Sequence, residues 1–554
     1  MFSPRTPFRP ALSPRIMALI AAAYVLVVLN GSFLRIAGKL FAAHPALATG
    51  LAIALGAAYA ALLTALSFPR LFKPLLILFI TIAAAAAYFM DTFGTVIDRD
   101  MIANTVTTTT NEARHLITPA LGLHMALYAG LPAALILWIR EKRGTFLRDA
   151  LVNMAMIAAL TGVAATVLMR DYAAYAAVFR ERADLVFSIN PGGPIGAAVK
   201  YVVHANRERN IAVAPIGQDA KPGPGLASAQ RPVFFVIVAG ETLRSASFGM
   251  EGYRRDTTPE LRKAGVIDLG PATSCGTATA VSLPCMFSRY GRDDYTDRHG
   301  LDHENLLDVL VHAGFHVEWW DNNTGDKAIA KRIFSQNLSR VDDPRHCSGG
   351  ECNDGIFLDR LRATIDKATG NTVIVIHQIG SHGPAYYRRY PADFGPFKPD
   401  CRSVQFSDCS QEEIVNAYDN TVAFTDHFLA SVIAMQKKFS DRLLTGLIFA
   451  SDHGESLGEN GLYLHGAPYL FAPDVQTHVP FLAWFSPEFS SALGLDTACL
   501  AALPGRETSH DDLFHSVLGV LDVQTAERKP ALDLFGPCRG KDHRPVALAA
   551  PGNG

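Results

Sequence analysis

Ile448-Phe449-Ala450-Ser451-Asp452-His453-Gly454-Glu455 is an apolar, β-rich run, entered at Leu447, that breaks directly into an Asp-His pair. Similar runs lie at Pro232 to Val238, Phe315 to Trp320, Val373 to Ile379 and Val479 to Trp484, with helical segments between them. This alternation predicts an α/β sandwich around a mostly parallel sheet, whose functional loops gather at the carboxyl ends of the strands. Two further strand ends are polar: Ala239-Gly240-Glu241-Thr242 and Ile379-Gly380-Ser381-His382-Gly383. A carboxylate, an Asp-His pair and a third-strand His are the donor types of a zinc site. A Glu after a strand is more often a helix cap, and a lone His a structural residue, so the weight rests on all three ends together.

Thr273-Ser274-Cys275-Gly276-Thr277-Ala278-Thr279-Ala280-Val281-Ser282-Leu283-Pro284-Cys285 supplies the nucleophile candidates. Small residues between paired cysteines predict a rigid turn into a helix, whose free N–H groups and dipole suit a phosphate. A threonine hydroxyl is a weak nucleophile until metal coordination lowers its pKa. Without a metal, the same Thr and Ser residues read as a helix N-cap.

The chain has 554 residues and a formal net charge of -2, which suits two or three domains and gives no sign of a nucleic-acid partner. Composition divides it. Up to about residue 172 Ala, Leu, Ile and Val dominate, and five stretches approach the ~20 apolar residues that span a bilayer: Ile16 to Leu34, Ala46 to Phe68, Pro74 to Phe93, Pro119 to Ile139 and Ala150 to Met169. The N-terminus holds Arg5, Arg9 and Arg15, the second-to-third loop Arg70 and Lys73, and the fourth-to-fifth loop Arg140, Lys142, Arg143 and Arg148. The other two loops are poorer in Lys and Arg, so the basic ones are expected on the cytoplasmic side and the C-terminal part outside, in the periplasm of a bacterium.

All eight cysteines follow residue 270, in close pairs: Cys275 with Cys285, Cys347 with Cys352 and Cys401 with Cys409, leaving Cys499 with Cys538 by elimination. Disulfides in an oxidising compartment fit this pattern better than a zinc ribbon. Expected domain limits are 1–172 for the five spans, 173–230 for a surface connector with a flexible Gly217 to Gln230 linker, and 231–554 for the catalytic domain.

These residues resemble the phosphoethanolamine transferases that modify lipid A and confer polymyxin resistance, within the alkaline phosphatase and sulfatase superfamily. The matching blocks are Gly240-Glu241-Thr242-Leu243-Arg244, Ser274-Cys275-Gly276-Thr277-Ala278-Thr279, Trp320-Asp321-Asn322-Asn323, Gly380-Ser381-His382-Gly383-Pro384 and Ser451-Asp452-His453-Gly454-Glu455 with His465-Gly466. The resemblance implies that Glu241, Thr279, Asp452 and His453 hold one tightly bound Zn2+, with Thr279 becoming phosphorylated. It puts His382 and His465 at the transferred phosphate or a second zinc, and Lys327 beside the phosphate. Asn323, Thr324 and Glu455 are implied on the substrate. Ala278 departs from the family, where Ser is common.

Met101 to Glu112, between the third and fourth spans, carries a further match. Asn104, Thr108 and Glu112 recur every fourth residue and share one helix face, where the family holds an ethanolamine head group; spacing alone fits a solvated face equally well. The expected donor is phosphatidylethanolamine and the acceptor a lipid A phosphate, with an inner-core sugar, another envelope glycan or glycerol-phosphate transfer as alternatives. The chain is expected to act as a monomer in the inner membrane. A sulfatase is disfavoured, because Cys285 is followed by Met286-Phe287-Ser288-Arg289 without the proline that formylglycine formation needs.

Overall fold

The computed structural model describes residues 9–540, apart from 108–109, 173, 176–178, 180–182, 209–210, 340, 349 and 503–506. It divides into two compact units, 1–102 with 116–202 and 103–115 with 203–554.

Among the described residues of the first unit, four helices are long and apolar enough to cross a membrane: Pro45–Ala65 (α3), Phe72–Phe93 (α4), Pro119–Trp138 (α5) and Phe146–Arg170 (α6). Ahead of them, Pro14–Val28 (α1) and Gly31–Leu40 (α2) meet at a 63° bend. The stretch expected as one continuous helix from Ile16 to Leu34 is therefore broken after Val28. Asn30 and Asn190 explain the break. Asn30 Nδ2 donates to the carbonyls of Val25 (2.9 Å) and Asn190 (2.6 Å), while Asn190 Nδ2 reaches those of Leu29 (2.8 Å) and Ala83 (2.6 Å). Both side chains are buried, so they satisfy backbone groups that a helix break would leave bare in apolar surroundings. Around them Ala18, Ala21, Ala83, Ala84 and Ala87 allow close helix packing.

The three basic loops meet at one end of this unit. Ala11 and Leu12 pair in parallel with Arg140 and Glu141, Arg15 bridges Asp149 at 3.1 Å, and Arg143 donates to the Ser67 and Phe68 carbonyls.

The second unit is built on an eight-stranded sheet. In chain order its strands are Val233–Gly240 (β1), Ile267–Thr273 (β2), His316–Asp321 (β3), Phe334–Asn337 (β4), Thr372–His377 (β5), Leu444–Ser451 (β6), His478–Phe485 (β7) and Thr508–Ser509 (β8). Their spatial order is β8-β2-β7-β6-β1-β5-β3-β4. β7 runs antiparallel to both neighbours and every other pair is parallel. Central β1 and β6 are buried along their whole length, which is why each is continuously apolar rather than alternating.

Three strands escaped the sequence reading. β2 contains Asp268, Gly270 and Pro271 and is half-exposed; β4 and β8 are short. The expected flexible linker is also corrected. Lys221–Pro222 pairs with Val523–Gln524, Pro224–Ser228 is helical, and Asp522 accepts from the Gly225 and Leu226 N–H groups, so Gly- and Pro-rich composition here serves a packed turn. All four expected disulfides form: Cys275–Cys285, Cys347–Cys352, Cys401–Cys409 and Cys499–Cys538.

Two outcomes follow. Replacing Asn190 by Leu strands the Leu29 carbonyl at the break, whereas Ala83 keeps its helical partner within α4, so thermal unfolding in detergent should show a loss of ~1–3 kcal/mol; an unchanged midpoint would contradict this account of the bend. Glu251 packs against β2, where burial pushes its carboxyl from 4.5 up to about 8, Ser245 opposing and Asp268 reinforcing. Its folded pKa is raised, so its contribution is whole below about pH 4.5 and lost as pH rises through about 8. Glu251→Gln should flatten the decline in melting temperature across that window.

Candidate metal and phosphate site

Parallel register brings the site together. Ser451 of β6 pairs with Gly240 of β1, so Asp452 and Glu241 leave adjacent strands side by side, and His377 of β5 pairs with Ala239 on the other flank. β2, parallel to β6 across β7, delivers the chain to the same edge. There Ser274 to Ala278 turns into the helix Thr279–Met286 (α7), whose first residue is Thr279.

Glu241, Asp452 and His453 each aim one ligand atom at a common point, these atoms lying within 4.8 Å of one another, and all three residues are fully buried. The Thr279 hydroxyl joins them, 3.1 Å from both Glu241 oxygens and 3.2 Å from His453 Nε2. Thr277, the other candidate, turns away and donates to the Ala467 carbonyl at 2.6 Å.

The donor set fits zinc. His453 Nδ1 donates to the Gly454 carbonyl at 3.0 Å, which leaves Nε2 facing the carboxylates, the tautomer a ligating imidazole needs. Asp452 Oδ1 accepts from the Thr242 and His453 N–H groups, whereas buried Oδ2 has no hydrogen-bond partner among the described residues and lies 3.4 Å from His453 Nε2. A cation is the missing counterpart of such an oxygen.

The protonation pattern says the same. Burial opposes charge on Glu241, but His377 and His453 beside it hold its carboxyl well below the usual range. Burial and the Glu241 charge push Asp452 up to about 6. Burial disfavours charge on His453 too, yet Asp452 and Glu241 push it up to about 10. Without a metal, a proton on His453 thus balances the carboxylates.

Several supports were not singled out by sequence. His377 lies between Asp321 (2.7 Å from Nδ1) and Glu241 (3.7 Å from Nε2); despite burial, these carboxylates push it up to about 9. It ends an apolar strand, the same signal that drew attention to Asp452. His510 Nδ1 accepts from Cys275 N at 3.1 Å and its Nε2 donates to the Ser451 carbonyl at 2.9 Å, fastening the nucleophile turn to β6. It follows the very short β8, which no periodicity reveals. Thr242 adopts φ 58°, strained for a β-branched residue, and is held by Tyr418, whose hydroxyl donates to its carbonyl at 2.7 Å. Gly380, at φ 48°, must be glycine because a Cβ would meet the Glu241 carbonyl at 2.6 Å.

The remaining candidates are placed as follows. His465 lies beside His453 with the two rings tilted and their centroids 4.5 Å apart, and the His382 ring meets that of His465 edge-on at 5.2 Å. Glu455 is buried between His465 Nδ1 (2.8 Å) and the Tyr386 hydroxyl (2.6 Å), so it orients His465. Asn323 donates to Glu241 (2.7 Å) and the Gln378 carbonyl (2.9 Å) and accepts from Thr324 N, so its amide steadies Glu241. Lys327 Nζ donates to the Thr324 carbonyl at 3.1 Å. Asn104 lies on the helix Arg99–Thr107; Thr108 and the Glu112 side chain fall outside the described residues.

Residues 55–206 match the family described as Phosphoethanolamine transferase EptA/EptB, and residues 234–523 match the Sulfatase family. Phosphoethanolamine transferase EptA of Salmonella typhimurium is 40% identical over 86% of this chain and 87% of its own length. The chain belongs to the phosphoethanolamine transferase family. Phosphatidylethanolamine transferase Mcr-1 of Escherichia coli is 31% identical, covering 94% of this chain and 97% of its own. The structure of the integral membrane lipooligosaccharide phosphoethanolamine transferase A of Neisseria meningitidis superposes with a TM-score of 0.90 at 32% identity, covering 97% of this chain and all of that one. Membership places the second unit in the sulfatase-like fold.

Because a metal must displace the proton on His453, zinc affinity should rise about tenfold per pH unit between pH 6 and 8 and more steeply below 6. Chelator competition across that range measures it, and a pH-independent affinity would contradict the proton balance.

Proposed function

We propose that this chain takes phosphoethanolamine from phosphatidylethanolamine onto Thr279 and passes it to a phosphate group of lipid A, at the outer face of the bacterial inner membrane. The observation that carries the reading is the Thr279 hydroxyl, 3.1 Å from both oxygens of Glu241 and on the first residue of α7.

In the first half-reaction the bond from Thr279 Oγ1 to phosphorus forms as the bond from phosphorus to the glycerol oxygen breaks. The hydroxyl proton ends on released diacylglycerol. In the second, a phosphate oxygen of lipid A attacks the phosphorus of the phosphothreonine, the bond from phosphorus to Thr279 Oγ1 breaks, and the leaving oxygen takes up the proton given up by the attacking phosphate monoester, or one from water, to restore the hydroxyl. Glu241, Asp452, His453 and Thr279 would hold one Zn2+, which when bound lowers the hydroxyl pKa and offsets charge on the phosphoryl oxygens. His382, His465 and Lys327 face the phosphate; whether His382 and His465 also take a second ion depends on metal loading. Asn104, Thr108 and Glu112 hold the ethanolamine ammonium.

Membrane placement supports the lipid substrates. If the bent α1–α2 pair counts as one crossing, the first unit crosses five times, and the clustered basic loops mark the cytoplasmic end. The catalytic unit then lies in the periplasm, where four disulfides suit an oxidising compartment.

Mass spectrometry of the protein incubated with phosphatidylethanolamine tests the nucleophile. Thr277→Ala should retain the phosphoethanolamine adduct and Thr279→Ala should lose it; an adduct surviving in Thr279→Ala would sink the assignment. Lipid A from cells with and without the chain reports the acceptor.

A further inference from the structure

Residues 103–115 fall between the long apolar helices α4 and α5 in sequence, yet they pack as part of the catalytic unit. The helix Thr110–Leu116 carries His115 near its end, buried, with Nε2 3.4 Å from Glu351 Oε2. The same Glu351 oxygen lies 3.4 Å from Nη1 of Arg389, whose side chain is wholly buried. Arg389 in turn donates its Nε to the His382 carbonyl at 2.8 Å. A continuous path of charged and polar groups therefore joins a helix of the 103–115 segment to a histidine of the phosphate site.

Glu351 is the indispensable link of this path. Arg389 cannot lose its proton, and a buried guanidinium without a counter-charge is strongly unfavourable. Among the described residues neither terminal nitrogen of Arg389 has a hydrogen-bond partner and neither oxygen of Glu351 has one, so each depends on the other's charge and on His115. Glu351 is also held in place. Its strand, Glu351–Cys352, pairs with Cys347–Ser348 in a hairpin closed by the Cys347–Cys352 disulfide. The Cys352 carbonyl accepts from Asn322 Nδ2 at 3.0 Å, and Asn322 precedes the Asn323 that steadies Glu241.

We infer that Glu351 is a positioning residue, joining the helix Thr110–Leu116, which follows the Asn104 helix in sequence, through His115 to the His382 loop through Arg389. The inference rests on the proposal that the Asn104 face holds the ethanolamine group. Only an oxygen and two carbons separate the ammonium of that group from its phosphorus, so head-group and phosphate contacts must keep one fixed offset. Fastening both to one buried carboxylate provides it, and loosening the link should weaken binding of the whole head group without touching metal or nucleophile.

The test uses the full chain in detergent with phosphatidylethanolamine, comparing Asn104→Ala, His115→Gln, Glu351→Gln and the His115→Gln/Glu351→Gln double variant by KM, kcat, zinc content and melting temperature. His115→Gln keeps the Glu351–Arg389 pair, so it decides the matter if Glu351→Gln fails to fold. Expected are a KM raised roughly three- to tenfold in each single variant, kcat within about twofold and unchanged zinc content. Where the double variant folds, its KM should be no worse than that of Glu351→Gln, because one link is already cut. An unchanged KM in His115→Gln while Asn104→Ala raises it overturns the inference and leaves the head-group reading standing. Lower melting temperature or zinc content with unchanged KM would make the path a stabilising ion pair only, and multiplicative effects in the double variant also count against it. If Asn104→Ala itself leaves KM unaltered, the head-group reading falls and this inference with it.

Discussion

A fully buried carboxylate, Glu241, is the constraint around which the catalytic unit is organised. An ionised carboxylate in an interior is costly unless it is paired and hydrogen-bonded. This one accepts from Thr279, Thr242 and Asn323 and sits between His377 and His453. Meeting that demand fixes the surrounding chain: β5 must end on His377, β6 must run into Asp452 and His453, and the loop after β3 must bring back Asn323. The sheet order β6-β1-β5-β3 is the arrangement in which all three arrive beside β1.

The membrane unit meets the same demand with neutral groups. Asn30 and Asn190, some 160 residues apart, exchange hydrogen bonds across the break between α1 and α2. Amide side chains can both donate and accept, so they can repair an interrupted helix where no water is available and a charge would be prohibitive. The two units thus use distinct chemistry for the same problem, and only the charged solution creates a place for a cation.

Features whose signal lies within one element could be read from sequence. Continuous apolar strands ending in Glu241 or Asp452-His453 predicted both the sheet and the convergence of these side chains, and close cysteine spacing predicted three disulfides, the fourth following by elimination. Features decided by distant partners could not. Asn30 reads as one polar residue in an apolar run until Asn190 is beside it, and residues 217–230 read as linker until Asp522 caps them. β2 reads as a loop because Asp268, Gly270 and Pro271 suit an edge region and its pairing comes from β7 and β8. His377 was legible in principle, but its role depends on Asp321 and Glu241, which sequence places 56 and 136 positions before it.

Ala278 shows how the local rules bend at the site. It is the N-cap of α7, where a serine would accept from a following N–H and Ala costs a helix about 1 kcal/mol. The Cys275–Cys285 disulfide ties the start of the turn to the last turn of α7, and His510 holds Cys275 from behind, so the helix does not depend on its cap for order. An N-cap without a side chain leaves the N–H groups of the first turn to an incoming anion instead of spending one on a hydroxyl. Thr279 is the first residue beyond that uncapped end, so the proposed nucleophile sits where the backbone is best placed to meet a phosphate. Stability conceded at residue 278 and recovered through the disulfide is consistent with a turn shaped by what it must bind.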